Sequence, residues 1–154
     1  EIYTLSLHDA LPIYMTMKNG VLDKMFMHEN AFIISKEDEV LFNQIKGRRM
    51  VGFFKDQELH KVDVFGNGLT VYYPREEDST LIGVNKTECM NMTIRIDSNQ
   101  IEKITFFEKP VAKLTPSDEM PSGGITLEGF IYRVGERPIS PHDLFEKRRK
   151  KSGQ

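Results

Sequence analysis

The sequence predicts an all-β protein built as a stack of like antiparallel units. The first observation is a pattern that occurs three times, at 18–27, 55–64 and 97–106, each copy being a polar turn followed by apolar-x-Lys-apolar-x-apolar. Self-similarity at a period of roughly 40 residues indicates repeated structural units rather than one irregular globule. The second observation is that β-branched or aromatic residues alternate with polar ones in short runs from Val21 to Phe107, a spacing typical of strands.

The similarity between the copies extends beyond the core pattern. Residues 30–34 match 67–71, each following its copy, and 50–54 match 92–96, each preceding its copy. One unit is therefore predicted to be strand, turn, strand, Asn-Gly-type turn, strand. The clearest turns are predicted at 56–57, 66–68, 75–78 and 97–99. Contacts between neighbouring hairpins are expected to be mostly antiparallel.

Alternation along the strands also predicts which side chains face the interior of the stack. Lys24, Lys61, Asp63, Lys103 and Thr105 fall on the opposite side of their strands. The inward residues either fill a closed core or line a groove. The predicted inward set is Met25, Met27, Phe32, Ile34, Met50, Phe54, Val62, Val64, Leu69, Val71, Met92, Ile94, Ile96, Ile104 and Phe106.

The first 13 residues resemble the in-frame translation of a common short-read sequencing adapter, and we expect them not to be native protein. They show neither a signal-peptide pattern nor an alternation that joins the repeats. We therefore predict a β-repeat domain over 14–130, truncated at its N-terminus, and a C-terminal extension with a basic tail over 131–154. The true N-terminus, a signal peptide and earlier repeats are expected to be missing.

The composition limits the classes of partner. Glu1 and Asp9 are the only acidic residues among the first 13 residues and account for the formal net charge of −2, so the rest of the chain is neutral. A neutral chain has no global field that would favour nucleic acid, and we expect no nucleic-acid partner. No apolar run approaches the roughly 18 residues that a membrane-spanning helix needs.

The cysteine count limits the chemistry further. Cys89 is the single cysteine, so an intrachain disulfide and a cysteine-rich metal site are both impossible. No cluster of Lys, Arg or His marks it as an activated nucleophile, and it is predicted to be a buried structural thiol.

The search for catalytic residues finds little. His28, His60 and His142 lie far apart in sequence, and neither an HExxH motif, a G-x-S-x-G elbow nor a phosphate loop is present. The acidic run at 76–78 falls in a predicted turn and is expected to be solvated. We predict that the protein is not an enzyme and uses no cofactor or metal.

The C-terminal part differs in character from the repeats. Residues 110–124 are rich in proline and glycine and are predicted to form a loop or strap, and a last apolar run follows at 125–134. Residues 140–145 are compatible with a short helix. The basic run at 147–151 is interpreted as a solvated terminus or as a contact for anionic lipid or a partner.

Several segments resemble the OstA-like proteins of Bacteroidetes. They are FNQIKGR at 42–48, LHKVDVFGNG at 59–68, YYPREED at 72–78 and LIGVN at 81–85, with GF at 129–130, ERP at 136–138 and DLF at 143–145. The resemblance covers about residues 18 to 146, and several of its motifs occur in the same order. Compared with a complete family member, the chain looks like a C-terminal fragment.

The resemblance implies a fold and a function. The family is related to the periplasmic lipopolysaccharide-transport component OstA, which implies an antiparallel β-jellyroll built as a V-shaped stack of strands. Its apolar interior, here the predicted inward set, would hold lipid acyl chains on their way to the outer membrane. The implied location is the periplasm or the outer membrane. The implied partners are lipopolysaccharide or a related lipid, and other jellyroll transport proteins joined by edge-strand pairing.

Three functions therefore stand as hypotheses. The first is a non-enzymatic lipid carrier or bridge. The second is a structural β-repeat module of the envelope with a closed interior, which mediates protein–protein contacts. The third and weakest is an enzyme on a β-solenoid. The shape of the interior discriminates among them: an apolar trough favours lipid, a packed interior favours the structural module, and a polar cleft with convergent carboxylates favours the enzyme.

Overall fold

The protein is all-β, as predicted. The structure is a computed structural model that describes residues 2–4 and 13–132. Its strands form one open, mainly meandering antiparallel sheet in the order β1-β3-β4-β5-β6-β7, with β2 also pairing with β3 and β8 also pairing with β6. The strands are β1 (Ile2–Thr4), β2 (Tyr14–Lys18), β3 (Val21–Lys36), β4 (Phe42–Lys55), β5 (Glu58–Tyr72), β6 (Gly83–Asp97), β7 (Gln100–Phe107) and β8 (Val111–Pro116), followed by one 3₁₀ turn at Ser117–Glu119.

The three copies of the sequence pattern are three hairpins whose turns lie at the same end of the sheet. Two-residue turns at 19–20, 56–57 and 98–99 connect β2 to β3, β4 to β5 and β6 to β7. All six turn residues have positive φ, from 49° at Ser98 to 80° at Gly20. Turns of this kind match the right-handed twist of paired strands, which explains the Asn, Asp, Ser and Gly residues found there. The repeat prediction is confirmed for this part of each unit.

The second predicted turn of each unit does not reverse the chain. Asn30 and Asn67 have φ of 53° and 51°, but they lie inside β3 and β5, where the register shifts by one residue against the neighbouring strands. The prediction of a turn at 66–68, and of the matching Asn-Gly-type turn in the first unit, is therefore wrong, and both positions are β-bulges. Bulges and turns share a preference for Asn and Gly because both need positive φ.

The long strands bend at the bulges, so that the sheet folds over itself. Val62 and Thr70 lie eight residues apart on β5, a span of about 26 Å in a straight strand. A cavity of about 10 Å³ is nevertheless lined by Val62 and Ile94 from one side of the bulges and by Ile33 and Ile45 from the other. Ile33, Ile45 and Thr70 are neighbours in one register row. The two halves of the sheet therefore face each other, in the jellyroll-like arrangement that was expected.

The apolar side chains form two clusters, one on each face of the sheet. The interior cluster lies between the two halves. It comprises Met25, Met27, Ala31, Ile33, Ile45, Met50, Val62, Val64, Met92, Ile94 and Ile96, with Phe54, Leu59, Cys89, Ile101, Ile104 and Phe106 packed against it. The strap cluster lies on the other face. It comprises Phe32, Ile34, Leu41, Val71, Tyr73, Val84 and Leu127, with Phe42, Leu69, Leu81, Met120, Ile125, Phe130 and Tyr132 packed against it.

Two segments differ from the expectation drawn from the sequence. Residues 110–124 were expected to be a loop, but Val111–Pro116 is a strand that pairs with the first half of β6. Pro116 is tolerated because it ends an edge strand. Within the first 13 residues, Ile2–Thr4 pairs with 33–35 of β3, although no strand was expected there. The predicted helix at 140–145 and the basic tail lie outside the described residues.

Candidate functional site

The candidate site is the interior between the two half-sheets. Most of the predicted inward residues lie in the interior cluster, and Met50, Val62, Val64 and Ile94 at its centre are completely buried. Full burial of such a side chain contributes roughly 1.5–3 kcal/mol before entropy is subtracted. The alternation rule therefore identified the interior face correctly for the half of each strand next to the repeated hairpins.

Four predicted inward residues lie elsewhere. Phe32, Ile34, Leu69 and Val71 belong to the strap cluster, on the face opposite the interior. The expectation that they share a face with Met25 and Val64 is wrong, because it assumed a chain-reversing turn before them. Each strand instead continues through its bulge, and the interior residues of β3 and β5 keep one parity on both sides of it.

Other residues that the sequence analysis missed also face the interior. Ala31, Ile33 and Ile45 are buried in the interior cluster, and Cys89 packs against it. The signal was present at Asn30 and Gly66-Asn67, where residues that favour positive φ interrupt an apolar run without ending the strand. Treating those residues as bulges rather than turns would have placed this half of each strand correctly.

Cys89 is half-buried rather than fully buried. Burial raises its pKa above the ordinary 9.0, so its thiol is protonated at neutral pH. That state agrees with the prediction of a structural thiol, since the thiolate is the nucleophile.

The strap cluster is covered by the segment after β8. Gln44, with no exposed surface, donates from Nε2 to the Ile125 carbonyl at 2.9 Å and accepts from the Leu127 N–H at 2.8 Å. The Tyr73 hydroxyl accepts from the Ile125 N–H at 2.7 Å and donates to its carbonyl at 3.2 Å. These bonds replace a strand ladder, and they close this face of the sheet, so that the strap cluster is a core rather than a groove.

The interior is tightly packed in its middle rows. Its enclosed cavity of about 10 Å³ is lined mainly by Ile33, Ile45, Val62, Ile94, Ile96 and Ile101. A single water molecule needs about 10–15 Å³ by the same measure, so no larger guest fits there without moving side chains.

The interior reaches the surface along both lateral edges of the sheet. Met15 on β2 is directly opposite Met25 and therefore faces the interior, where it is 59% exposed. At the other edge Ile104 and Phe106 are half-buried, and Leu114, which pairs with Asn85 on the interior face of β6, is 50% exposed. The apolar interior is thus closed in the middle and open along β2 and along β7 and β8.

A polar cleft of about 360 Å³ lies at the end of the interior near the β6–β7 turn. Ser35, Asn43, Tyr72 and Asn99 line it, and Glu37 is the one carboxylate in its lining. Glu37 accepts hydrogen bonds from Asn43 and Arg75, so it is held as an ion-pair partner. This arrangement lacks the convergent carboxylates that would favour an enzyme.

Other features of the described residues bear on function in a limited way. They contain no group of three or more His, Cys, Asp or Glu placed to hold a metal ion. Within the described ranges no helix is long and apolar enough to cross a membrane. Glu76, Glu77 and Asp78 are exposed, as expected, and hydrogen bonds from Thr80 hold the pKa of Asp78 below its usual value.

Comparison with known proteins adds no further assignment. No family model, no curated protein and no solved structure matches this chain.

Proposed function

We propose that the protein is a non-enzymatic carrier of lipid acyl chains, acting in a β-bridge of the kind that the resemblance to OstA-like proteins implies. The observation that supports this proposal is the apolar interior that opens along both lateral edges of the sheet, at Met15 and at Ile104, Phe106 and Leu114. The cargo class is lipopolysaccharide or a related lipid, and the location is the periplasm or the outer membrane.

Lipid entry starts at an edge, because the middle rows leave no space. An acyl segment of about ten methylenes gains roughly 8 kcal/mol when it leaves water, which is enough to offset some displacement of side chains. Methionine is the most adaptable apolar side chain, and Met25, Met27, Met50 and Met92 all lie in the interior cluster. The acyl chain of the lipid is therefore expected to enter beside β7 and β8 and to be held by protein side chains that repack around it.

The free edges also provide a way to join neighbouring units. Among the described strands, β7 and β8 pair with β6 alone, and β1 and β2 pair with β3 alone. Unpaired edges of this kind are templates for another strand. Addition of a second jellyroll by β-augmentation would extend both the sheet and the apolar interior, as a bridge requires.

The groove is tested by photo-crosslinking of lipopolysaccharide to probes at Val64, Ile94 and Phe106, with Lys61 on the outer face as the control. We expect labelling at Phe106 first and at the two central positions when the interior admits the chain. Absence of labelling at all three positions in folded protein would remove support for lipid binding.

A matched pair of variants in β8 tests the same proposal without disturbing the centre. Leu114 faces the interior, whereas Val111, 70% exposed, pairs with Glu88 and faces the other side. Leu114→Asp should abolish lipid labelling at Phe106, and Val111→Asp should leave it unchanged. Equal labelling in the two variants would contradict an interior route.

Edge pairing is tested at Glu102, an exposed residue of β7 that has no register partner on β6. Glu102→Pro places a residue that lacks a backbone N–H in this edge strand, which hinders addition of another strand. Self-association in sedimentation velocity stands in for pairing with a second jellyroll. It should be lost in this variant and kept in Glu102→Ala, and undiminished association of the proline variant would refute pairing through β7.

A second candidate function is a structural envelope module with a closed interior. The complete burial of Met50, Val62, Val64 and Ile94 and the small cavity favour it. The crosslinking experiment separates the two candidates, because a closed interior gives no lipid labelling while edge pairing persists.

A further inference from the structure

The outer face of the sheet carries a cleft that the proposed function does not use. It lies along the line of bulges, has a volume of about 420 Å³, and is lined by His28, Glu29, Arg48, Arg49, Phe65 and Gly66. His28, Arg49 and Phe65 follow Met27, precede Met50 and follow Val64 respectively, so they lie on the face opposite the interior cluster. This outer cleft is therefore separate from the lipid route.

The bulges build the cleft from local sequence. His28, Arg49 and Phe65 are successive partners in one register row across β3, β4 and β5. Arg48 lies in the register shift beside this row, and a Cβ on Gly66 would come within 3.2 Å of the Arg48 Cβ. Gly66 therefore lets the stem of Arg48 lie close against β5.

The two arginines are available for a ligand. The Arg49 guanidinium lies 4.8 Å from the centre of the Phe65 ring, a contact that holds its plane while leaving N–H groups free to donate. Among the described residues, no carboxylate forms an ion pair with Arg48 or Arg49. Arg75, in contrast, is paired with both Glu37 and Asp38.

The surrounding face adds positive charge. Lys24, Phe53, Lys61, Arg95 and Lys103 form another register row on the same outer side of the sheet. Lys61 is paired with Asp63 at 2.9 Å, and Glu29 places one carboxylate at the cleft itself. The cations still outnumber these anions, so the local field attracts an anionic ligand even though the whole chain is nearly neutral.

We propose that the outer cleft binds a phosphate monoester through Arg48 and Arg49. Arginine forks match phosphate oxygens, and two of them side by side neutralise a dianion. The cleft exceeds the size of a bare phosphate and falls within the range of small-molecule sites, so it also admits the group that the phosphate esterifies. A lipid headgroup and a soluble phosphoester share this chemistry.

The test uses calorimetry with glycerol 3-phosphate and flotation with vesicles of phosphatidylcholine, with or without phosphatidic acid, at one ionic strength. The variant is the double substitution Arg48→Gln and Arg49→Gln. The matched control is Arg95→Gln and Lys103→Gln, which removes the same charge from the same face outside the cleft. We expect the variant to weaken binding by about tenfold or more and the control by less than about threefold.

The outcomes separate the sources of the phosphate. Binding of glycerol 3-phosphate supports a soluble ligand, and binding to phosphatidic acid vesicles alone supports a headgroup in a bilayer. Failure of the unsubstituted protein to bind either probe overturns the proposal. So does an equal loss in the variant and the control, because only the general charge of the face would then matter.

Discussion

At the scale of single residues, the bend of the sheet requires a position with no side chain. Gly47 lies in β4 beside the bulge, and a Cβ built there would overlap Cγ1 of Val64. Valine is stiff because it branches at Cβ, and Val64 is completely buried, so it cannot turn away freely.

Gly47→Ala should therefore lower the free energy of unfolding by about 2 kcal/mol, the usual cost of overpacking a core. The measurement is the urea midpoint. Gly123→Ala is the control, since a Cβ at Gly123 meets no atom within 4 Å. Equal midpoints for the two variants would mean that the half-sheets have room to separate at the bend.

Two threonines in one register row of the interior face differ in their hydrogen bonding. Thr70 and Thr87 are direct partners, and each is 1% exposed. The Thr87 hydroxyl donates to the Asn85 side chain at 2.7 Å, whereas the Thr70 hydroxyl has no partner among the described residues. Burial of an unpartnered hydroxyl costs free energy that a partnered one recovers.

Thr70→Val is therefore expected to raise stability by about 1 kcal/mol, and Thr87→Val to lower it by about the same amount. Chemical denaturation of both variants beside the parent measures the difference. A loss of stability in Thr70→Val would show that its hydroxyl has found a partner, such as a bound water molecule.

At the scale of elements, the strap after β8 is held by side chains rather than by a strand ladder. Gln44 and Tyr73 together satisfy the backbone of Ile125 and Leu127. An unsatisfied buried backbone group costs about 1–3 kcal/mol, so loss of one of these side chains frees the strap before it unfolds the sheet.

Gln44→Met should preserve the apolar contacts of the side chain. It should also make the Leu127 amide exchange at least about tenfold faster than in the parent protein, because that amide loses its acceptor. Hydrogen exchange followed by NMR measures this. Lys46→Met is the control, because Lys46 donates to the Glu128 carbonyl at an exposed site and contributes less. If the Leu127 amide keeps its protection in Gln44→Met, the apolar residues of the strap cluster hold the strap without the amide.

At the scale of the whole molecule, two adjacent phenols couple the fold to alkaline pH. Burial raises the pKa of both Tyr72 and Tyr73 above the ordinary 10.0, and Glu37 adds to the effect at Tyr72. Above that pH the unfolded chain loses these protons more readily than the folded chain. The free energy of unfolding therefore keeps its full value below pH 10.0. It falls as the pH rises above 10.0 and through the raised pKa values of the folded chain.

Thermal midpoints between pH 8 and pH 11, in steps of about half a unit, should show this fall, and Tyr73→Phe should make it shallower. The comparison concerns the slope, because the substitution also removes two hydrogen bonds. Tyr14→Phe, at a residue that is 56% exposed, is the control. The same slope in Tyr73→Phe as in the parent would exclude the Tyr73 phenol as a source of the alkaline loss.

The sequence by itself determined the features that depend on neighbouring residues in the chain. Alternation of apolar and polar residues defined the strands, and short polar pairs such as Asn19-Gly20 and Asp56-Gln57 defined the hairpins that connect them. Both signals are local, because side chains alternate with a period of two and a tight turn needs positive φ at particular residues.

Tertiary structure decided which face each strand shows beyond Asn30 and Asn67. A residue with positive φ fits a turn or a bulge equally well, and the pairing of β3 with β4 and of β5 with β6 selects the bulge. That selection lets each strand continue through its bulge, divides the predicted groove residues between two clusters and gathers Arg48, Arg49 and Phe65 at one cleft. The reason is physical: facing depends on which strand lies alongside, and that is a property of the assembled sheet rather than of any one segment.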